Sequence, residues 1–149
     1  MDANIQALVE AVRLLRTERS HPRYSLEGWE IPEALGAELA SRLAPSQPEA
    51  VVVWAGAPTA VLGHVVAREL AAKLAYAFAD EGILGITSEL ETGSRVVVVG
   101  YDWTEYPGLG SMTAFLESKG LRLVGIGSVL QIADGSSVVD ATVLEGVSG

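Results

Sequence analysis

RVVVVGYDWTEYPGLGSMTAFLESKG, residues Arg95–Gly120, contains an apolar run, a loop and a second apolar pattern. Val96–Val99 are four consecutive β-branched residues, a run typical of a strand that is covered on both faces in a parallel sheet. The loop Gly100–Gly110 therefore opens at the carboxyl end of a central strand, the edge where open α/β sheets bind ligands. A helix that ends at Gly120 is predicted next by apolar residues at helical spacing: Leu109, Met112, Phe115 and Leu116.

The composition favours one globular domain. With 149 residues, 49% of them hydrophobic, the chain is long enough to bury a full core. Its 10 Lys+Arg against 19 Asp+Glu give a net charge of -9, which disfavours nonspecific binding to nucleic acid or to an anionic membrane. The lack of cysteine excludes disulfides, thiolate metal sites and a cysteine nucleophile. Neither a secretory signal nor an apolar run of membrane-spanning length is visible, so we expect a cytoplasmic protein.

Two helices are predicted before the first strand. The first has an apolar face made of Ile5, Leu8, Val9, Val12 and Leu15. Thr17–Trp29 is polar and predicts an irregular connection, with a short extended piece around Arg23–Leu26. Pro32 stands where a second helix can begin, and the apolar side of that helix consists of Leu35, Leu39 and Leu43.

The first strong strand is Ala50–Trp54, AVVVW. A turn of small residues follows, and an apolar helix is predicted from about Thr59. A strand, a short turn and a helix in this order form the first half of a βαβ unit. The residues of the turn are Ala55, Gly56, Ala57 and Pro58.

The remaining patterns complete an α/β sheet. Ala75–Ala79 predicts a strand, although Ala71–Phe78 also fits additional helix. Asp80–Thr92 reads as a loop or a hairpin, Leu121–Leu130 as a strand, and Val138–Leu144 as a last strand at an edge. We therefore predict a single α/β domain over the whole chain, with a mostly parallel central sheet flanked by helices.

The small-residue turn is the first candidate site. Small residues let backbone N–H groups approach an anion at the start of the following helix, where the helix dipole also favours negative charge. A tight strand-to-helix turn favours Gly and Pro without any ligand, so a structural role stays open. The turn matches neither GxGxxG nor GxxxxGKS, which argues against dinucleotide and P-loop sites.

The loop after Val99 is the second candidate site. Asp102 and Glu105 could hold a divalent cation or ribose hydroxyls. Thr104 could bind a phosphate. At the start of the helix, the backbone amides of Gly108 and Gly110 and the hydroxyl of Ser111 could bind the same phosphate. The loop has no Lys or Arg. Its aromatic residues could stack on a flat ligand or pack at a subunit interface: Tyr101, Trp103 and Tyr106.

The other polar residues point to no further chemistry. His21 and His64 have no partner at metal-ligand spacing, which argues against a zinc site and a catalytic triad, and His64 falls on the polar side of its helix. A solvated loop explains the acidic residues Asp80, Glu81, Glu89 and Glu91.

The order of these elements over roughly residues 20–130 resembles the type I phosphoribosyltransferases, most closely the orotate branch. The most specific matches are the turn Ala55–Pro58, which stands where the family has its pyrophosphate loop, and ETGSRVVVVGYD, which leads into a loop and a helix. The resemblance implies transfer of a 5-phosphoribosyl group between pyrophosphate and a nucleobase, with magnesium. It also implies a parallel sheet under a small N-terminal hood, and a homodimer.

The sequence departs from that family at three places. The two adjacent acidic residues expected after the central strand are Gly100 and Tyr101 here, with Asp102 one position later. The Thr- and Gly-rich 5-phosphate loop is replaced by a segment in which Thr104 is the clear counterpart. The cations that the orotate branch has after its second strand are replaced by Phe78, Ala79, Asp80 and Glu81. We therefore expect a site rimmed by acids and aromatic rings, without positive side chains.

A closed site that lacks one of its cationic groups forgoes about 2 to 4 kcal/mol of transition-state stabilisation. The favoured hypothesis is a phosphoribosyltransferase-like protein with little or no transferase activity, which binds a nucleotide or phosphate ligand or acts as a dimeric interaction module. It assigns no catalytic residue. One alternative is an active enzyme in which Asp102 and Glu105 have taken over the usual roles, with magnesium. The other is an unrelated doubly wound domain, because fold alone does not fix function.

Overall fold

The computed structural model describes residues 2–103, 108–132 and 141–145. In these ranges four helices and six strands follow one another, with a short 3-10 helix at Ala44–Ser46 after the second helix. The helices are α1 (Ala3–Thr17), α2 (Glu30–Leu43), α3 (Ala57–Leu70) and α4 (Gly108–Ser118). The strands are β1 (Ala50–Trp54), β2 (Lys73–Asp80), β3 (Ile83–Ile86), β4 (Arg95–Gly100), β5 (Arg122–Ser128) and β6 (Ala141–Val143).

The six strands form one sheet in the order β3-β2-β1-β4-β5-β6. β1 pairs in parallel with β2 and β4, and β5 pairs in parallel with β4 and β6. β3 turns back from β2 as an antiparallel hairpin strand. The prediction of a mostly parallel α/β sheet is therefore confirmed.

The valines of β1 and β4 explain why these two strands lie at the centre. Val51, Val53, Val97 and Val99 face a cluster formed with α1, α2 and α3. Val52, Val96 and Val98 face a second cluster formed with α4. These valines are fully buried, and each contributes about 1.5 to 3 kcal/mol relative to an exposed side chain. An uninterrupted β-branched run is what a strand covered on both faces needs.

The boundaries follow the predictions with a few differences. β1 has the predicted bounds, and α3 begins at Ala57 because Pro58 fits the first turn of a helix. β2 is a strand, so additional helix over Ala71–Phe78 is wrong there, because the segment pairs with both β1 and β3. β6 lies at an edge as predicted, while residues 138–140 of the predicted last strand lie outside the described residues.

The predicted extended piece around Arg23–Leu26 is wrong, because side chains hold this segment in turns. The Nδ1 atom of His21 accepts hydrogen bonds from the backbone N–H groups of Arg23 and Tyr24, at 3.1 and 3.2 Å. The hydroxyl of Ser25 accepts a hydrogen bond from the N–H of Glu27 at 3.0 Å. Local bonds of this kind replace the partner strand that an extended segment would need.

Among the residues that the structure describes, no helix is both long and apolar enough to cross a membrane.

Candidate functional site

A cleft opens at the carboxyl ends of β1 and β4. The chain leaves β1 through α3 towards β2 on one side, and leaves β4 through α4 towards β5 on the other. Such a divergence between neighbouring parallel strands is where open α/β sheets form ligand crevices. The cleft has a volume of about 220 Å³, and both strand ends and Arg16 of α1 line it.

The small-residue turn forms one wall of this cleft through Ala55, Gly56 and Pro58, whereas Ala57 is not among the lining residues. The first N–H groups of a helix have no acceptor within the helix, and no side chain caps the start of α3. The hydroxyl of Thr59 lies 2.6 Å from the carbonyl oxygen of Trp54 and donates to it. This bond closes the turn, so the hydroxyl proton is already used within the protein.

Asp102 lines the cleft and lies beside a cation that the sequence analysis missed. The Nη2 atom of Arg16 is 3.8 Å from the Oδ2 atom of Asp102. The two side chains are 20% and 18% exposed, so they lie at the mouth of the cleft, between core and solvent. The expectation of a site without positive side chains is therefore wrong. The available signal was the position of Arg16 on the apolar side of α1, in line with Val9 and Val12.

Tyr101 belongs to the core. It is 1% exposed and packs in the cluster formed with α1 and α2. The alternation of Val97, Val99 and Tyr101 carries its ring to that face of the sheet. Burial raises the pKa of its hydroxyl, because the charged form would lose its hydration. Among the described residues, the hydroxyl has no hydrogen-bond partner.

Trp103 is also a core residue, on the opposite face of the sheet. Its Nε1–H donates to the carbonyl of Gly127 on β5 at 3.1 Å, and its ring covers Gly100, where a Cβ atom would lie 3.2 Å from Cε2. Both rings are buried within the chain, which argues against packing at a subunit interface. Tyr101 and Trp103 also line the cleft, so contact with a flat ligand stays a prediction. Tyr106 lies outside the described residues.

The start of α4 is connected to the cleft through Trp54. This half-buried residue lines the cleft, and its Nε1–H donates to the carbonyl of Gly108 at 3.1 Å. Gly108, Gly110 and Ser111 are not themselves among the described lining residues. Thr104 and Glu105 lie outside the described residues. The role of Trp54 was not predicted, because its position at a strand end indicated only packing.

The histidines and carboxylates form no metal cluster in the described part of the chain. His21 holds its own loop, and His64 is exposed as predicted. No group of three or more possible metal-ligating side chains occurs among the described residues. Asp102 is the only carboxylate among the described lining residues of the cleft. A magnesium ion would therefore depend on ligand phosphates for most of its coordination.

No protein-family model and no curated protein sequence matches this chain. Similar solved structures are phosphoribosyltransferases. Orotate phosphoribosyltransferase from Mycobacterium tuberculosis, in complex with 5-phospho-alpha-D-ribosyl 1-diphosphate, is 16% identical with a TM-score of 0.71, covering 97% of this chain and 89% of that chain. A phosphoribosyltransferase from Corynebacterium diphtheriae is 19% identical with a TM-score of 0.68, covering 96% and 95%.

Adenine phosphoribosyltransferase from Thermoanaerobacter pseudethanolicus is 15% identical with a TM-score of 0.62, and the match covers 77% of this chain and 80% of that chain. Nearly the whole chain superposes on these structures, so the likeness extends beyond the order of elements to the fold. The predicted resemblance is confirmed at the level of the fold. The chain has the fold of the type I phosphoribosyltransferases.

Proposed function

We propose that this protein binds a phosphorylated small ligand, a nucleotide or 5-phosphoribosyl 1-pyrophosphate, in the cleft between β1 and β4, and that it has little or no transferase activity. The position of the cleft supports the binding part, since it lies at the carboxyl ends of the two central parallel strands. Structures of the similar orotate phosphoribosyltransferase contain the phosphoribosyl donor or inorganic phosphate.

The pairing of Arg16 with Asp102 supports the proposed lack of transferase activity. Arg16 is the only cation among the described lining residues, and a carboxylate lies 3.8 Å from it. A pyrophosphate leaving group carries several negative charges. Each missing donor lowers the rate about 10²- to 10³-fold.

The test combines a turnover assay with calorimetry. We expect no pyrophosphate release above background from 5-phosphoribosyl 1-pyrophosphate, magnesium and a panel of orotate, uracil, adenine, guanine and hypoxanthine. We expect calorimetry to detect binding of that donor or of a nucleoside monophosphate. Magnesium-dependent turnover of any of these bases would contradict the proposed lack of activity. Absence of binding would contradict the proposed ligand.

An active transferase remains the second candidate, because Asp102 lines the cleft one position after the expected acidic pair. The substitution Asp102→Asn separates the two candidates by the sign of its effect. If Asp102 holds ribose hydroxyls or magnesium, the variant binds the phosphoribosyl donor more weakly. If Asp102 competes with the ligand for Arg16, the variant binds inorganic phosphate more tightly. Glu117→Gln, which removes an exposed carboxylate from α4, is the control for the change in net charge.

We also propose that the protein is a homodimer. Among the described residues, four large apolar side chains are exposed, two of them by more than 70%: Trp29, Val61, Phe78 and Ile83. Burial of such side chains favours association. Sedimentation equilibrium should give twice the monomer mass of 15.6 kDa. A monomer mass at every concentration up to about 100 µM, well above the range of a stable dimer, would contradict the proposal.

A further inference from the structure

A second cavity of about 240 Å³ lies next to the cleft, at the carboxyl end of α1. Leu15, Arg16, Arg19, Leu26 and Glu27 line it. Arg16 lines both cavities, so the two are adjacent at this side chain. The end of α1 and the segment that follows it therefore add to the cleft a space that the strand ends do not form.

Positively charged side chains are concentrated near this second cavity. Of the 10 Lys+Arg in a protein of net charge -9, four lie between residues 13 and 23. Three of them contact other groups. Arg13 pairs with Glu10, Arg16 lies near Asp102, and Arg23 lies 5.3 Å from the centre of the Tyr24 ring.

Arg19 differs from the other three. Among the described residues its side chain makes no ion pair or hydrogen bond, and it lines the second cavity. Its backbone has a φ of 62°, at the position directly after the helix cap Glu18, where glycine is the usual residue. Gln47, Ala71 and Glu81 share such angles, but none of them lines either cavity. An arginine placed there at a conformational cost suggests a use for its side chain.

We propose that the cleft and the second cavity form one continuous site for a small ligand with two anionic groups, in which Arg16 lies between the groups and Arg19 binds the outer one. This rests on the proposed binding of a phosphorylated ligand in the cleft. Glu27 also lines the second cavity, and its Oε2 atom accepts a hydrogen bond from the hydroxyl of Ser25 at 2.7 Å. Its remaining charge weakens the binding of the outer anion.

The test compares two sugars that differ by one phosphate, ribulose 5-phosphate and ribulose 1,5-bisphosphate, by calorimetry at fixed ionic strength. We expect the bisphosphate to bind at least about tenfold more tightly, the effect of one charge-assisted hydrogen bond. General electrostatics predicts the opposite order, because the protein has a net charge of -9. Equal affinities would overturn this inference and leave the proposed function intact. Absence of binding of both sugars would also overturn this inference, whereas the proposed function is tested separately by binding of 5-phosphoribosyl 1-pyrophosphate or a nucleoside monophosphate.

Variants assign the effect to Arg19. Arg19→Gln should reduce the affinity ratio of the two sugars to about one. Arg23→Gln removes the same charge nearby and should keep the wild-type ratio. Glu27→Gln should increase the ratio, and a decrease would overturn the inference because it would indicate a ligand group that donates to Glu27.

Arg19→Gly distinguishes binding from a structural role. Glycine adopts the left-handed conformation without strain, so the midpoint of thermal unfolding should rise by about 3 °C while the affinity ratio falls to about one. If Arg19 serves only to balance the dipole at the end of α1, the substitution should lower the unfolding midpoint and leave the ratio unchanged. That result would overturn the inference.

Discussion

Replacing Tyr101 by phenylalanine should stabilise the protein. The ring of Tyr101 is buried in the cluster with α1 and α2, and within the described chain its hydroxyl has no hydrogen-bond partner. A buried polar group without a partner costs about 1 to 3 kcal/mol, because it has lost its bonds to water. Phenylalanine keeps the ring and its packing while removing that cost.

The expected gain is about 1 to 2 kcal/mol in the free energy of unfolding, because removal of the oxygen also leaves a small void. The entropy of unfolding scales with chain length, so for 149 residues this corresponds to a rise of roughly 3 to 6 °C in the unfolding midpoint. Urea unfolding at pH 7 gives the free energy, and calorimetry gives the midpoint. Tyr76→Phe, at a partly exposed position, is the control and should change the free energy by less than about 0.5 kcal/mol.

The pH dependence of the free energy of unfolding also tests the burial of the Tyr101 hydroxyl. Burial raises the pKa of Tyr101 above the value of 10.0 that applies to the unfolded chain. The neutral form is therefore favoured in the folded state, and its contribution is complete below pH 10 and is lost as the pH rises above it. The difference between Tyr101→Phe and wild type should thus widen by about 1.4 kcal/mol per pH unit above about pH 10. A variant that is less stable than wild type, or that binds phosphate ligands more weakly, would refute the assignment of Tyr101 to the core.

Two further predictions concern packing. Trp103→Ala removes a buried ring and a hydrogen bond to β5, and urea unfolding should show a loss of about 3 to 5 kcal/mol, whereas a loss below about 1 kcal/mol would place the ring outside the core. Gly36→Ala places a Cβ atom 2.6 Å from the Cγ1 atom of Val65 and should cost about 1 to 3 kcal/mol. Gly110→Ala meets nothing within 4 Å among the described residues and should gain about 0.5 to 1 kcal/mol. Equal effects of the two substitutions in urea unfolding would contradict the close approach of α2 and α3.

The central strands could be predicted because their signal is local. Val96–Val99 and Val51–Val53 are β-branched runs that are typical of a strand covered on both faces. The alternation of β4 also extends past its last residue to Tyr101, so the burial of that ring could have been inferred from a period of two. The aromatic character of the loop concealed this pattern.

The ion pair at the cleft could not be predicted in the same way. Arg16 and Asp102 belong to elements far apart in the chain, so no local pattern shows that they lie together. Helical periodicity places Arg16 on the same side of α1 as Val9 and Val12, but it does not show which strand end α1 lies beside. That position follows from how α1 packs on α2 and the sheet, which is a tertiary property.

The core role of Tyr101 has a consequence for the missing acidic pair. The family that the sequence resembles has acidic residues at the positions of Gly100 and Tyr101. Substituting acids at these two positions would disrupt the packing, because Tyr101 fills the core and Trp103 covers Gly100. Tyr101→Asp would bury a carboxylate and leave a cavity, so we expect a loss of at least about 4 kcal/mol in urea unfolding and no gain of transferase activity. Asp102→Asn, at a partly exposed position, is the control and should cost less than about 1 kcal/mol. Tyr101 also lines the cleft, so a stable Tyr101→Asp variant with magnesium-dependent turnover would show instead that the core tolerates an acid here and that the scaffold has kept the geometry for catalysis.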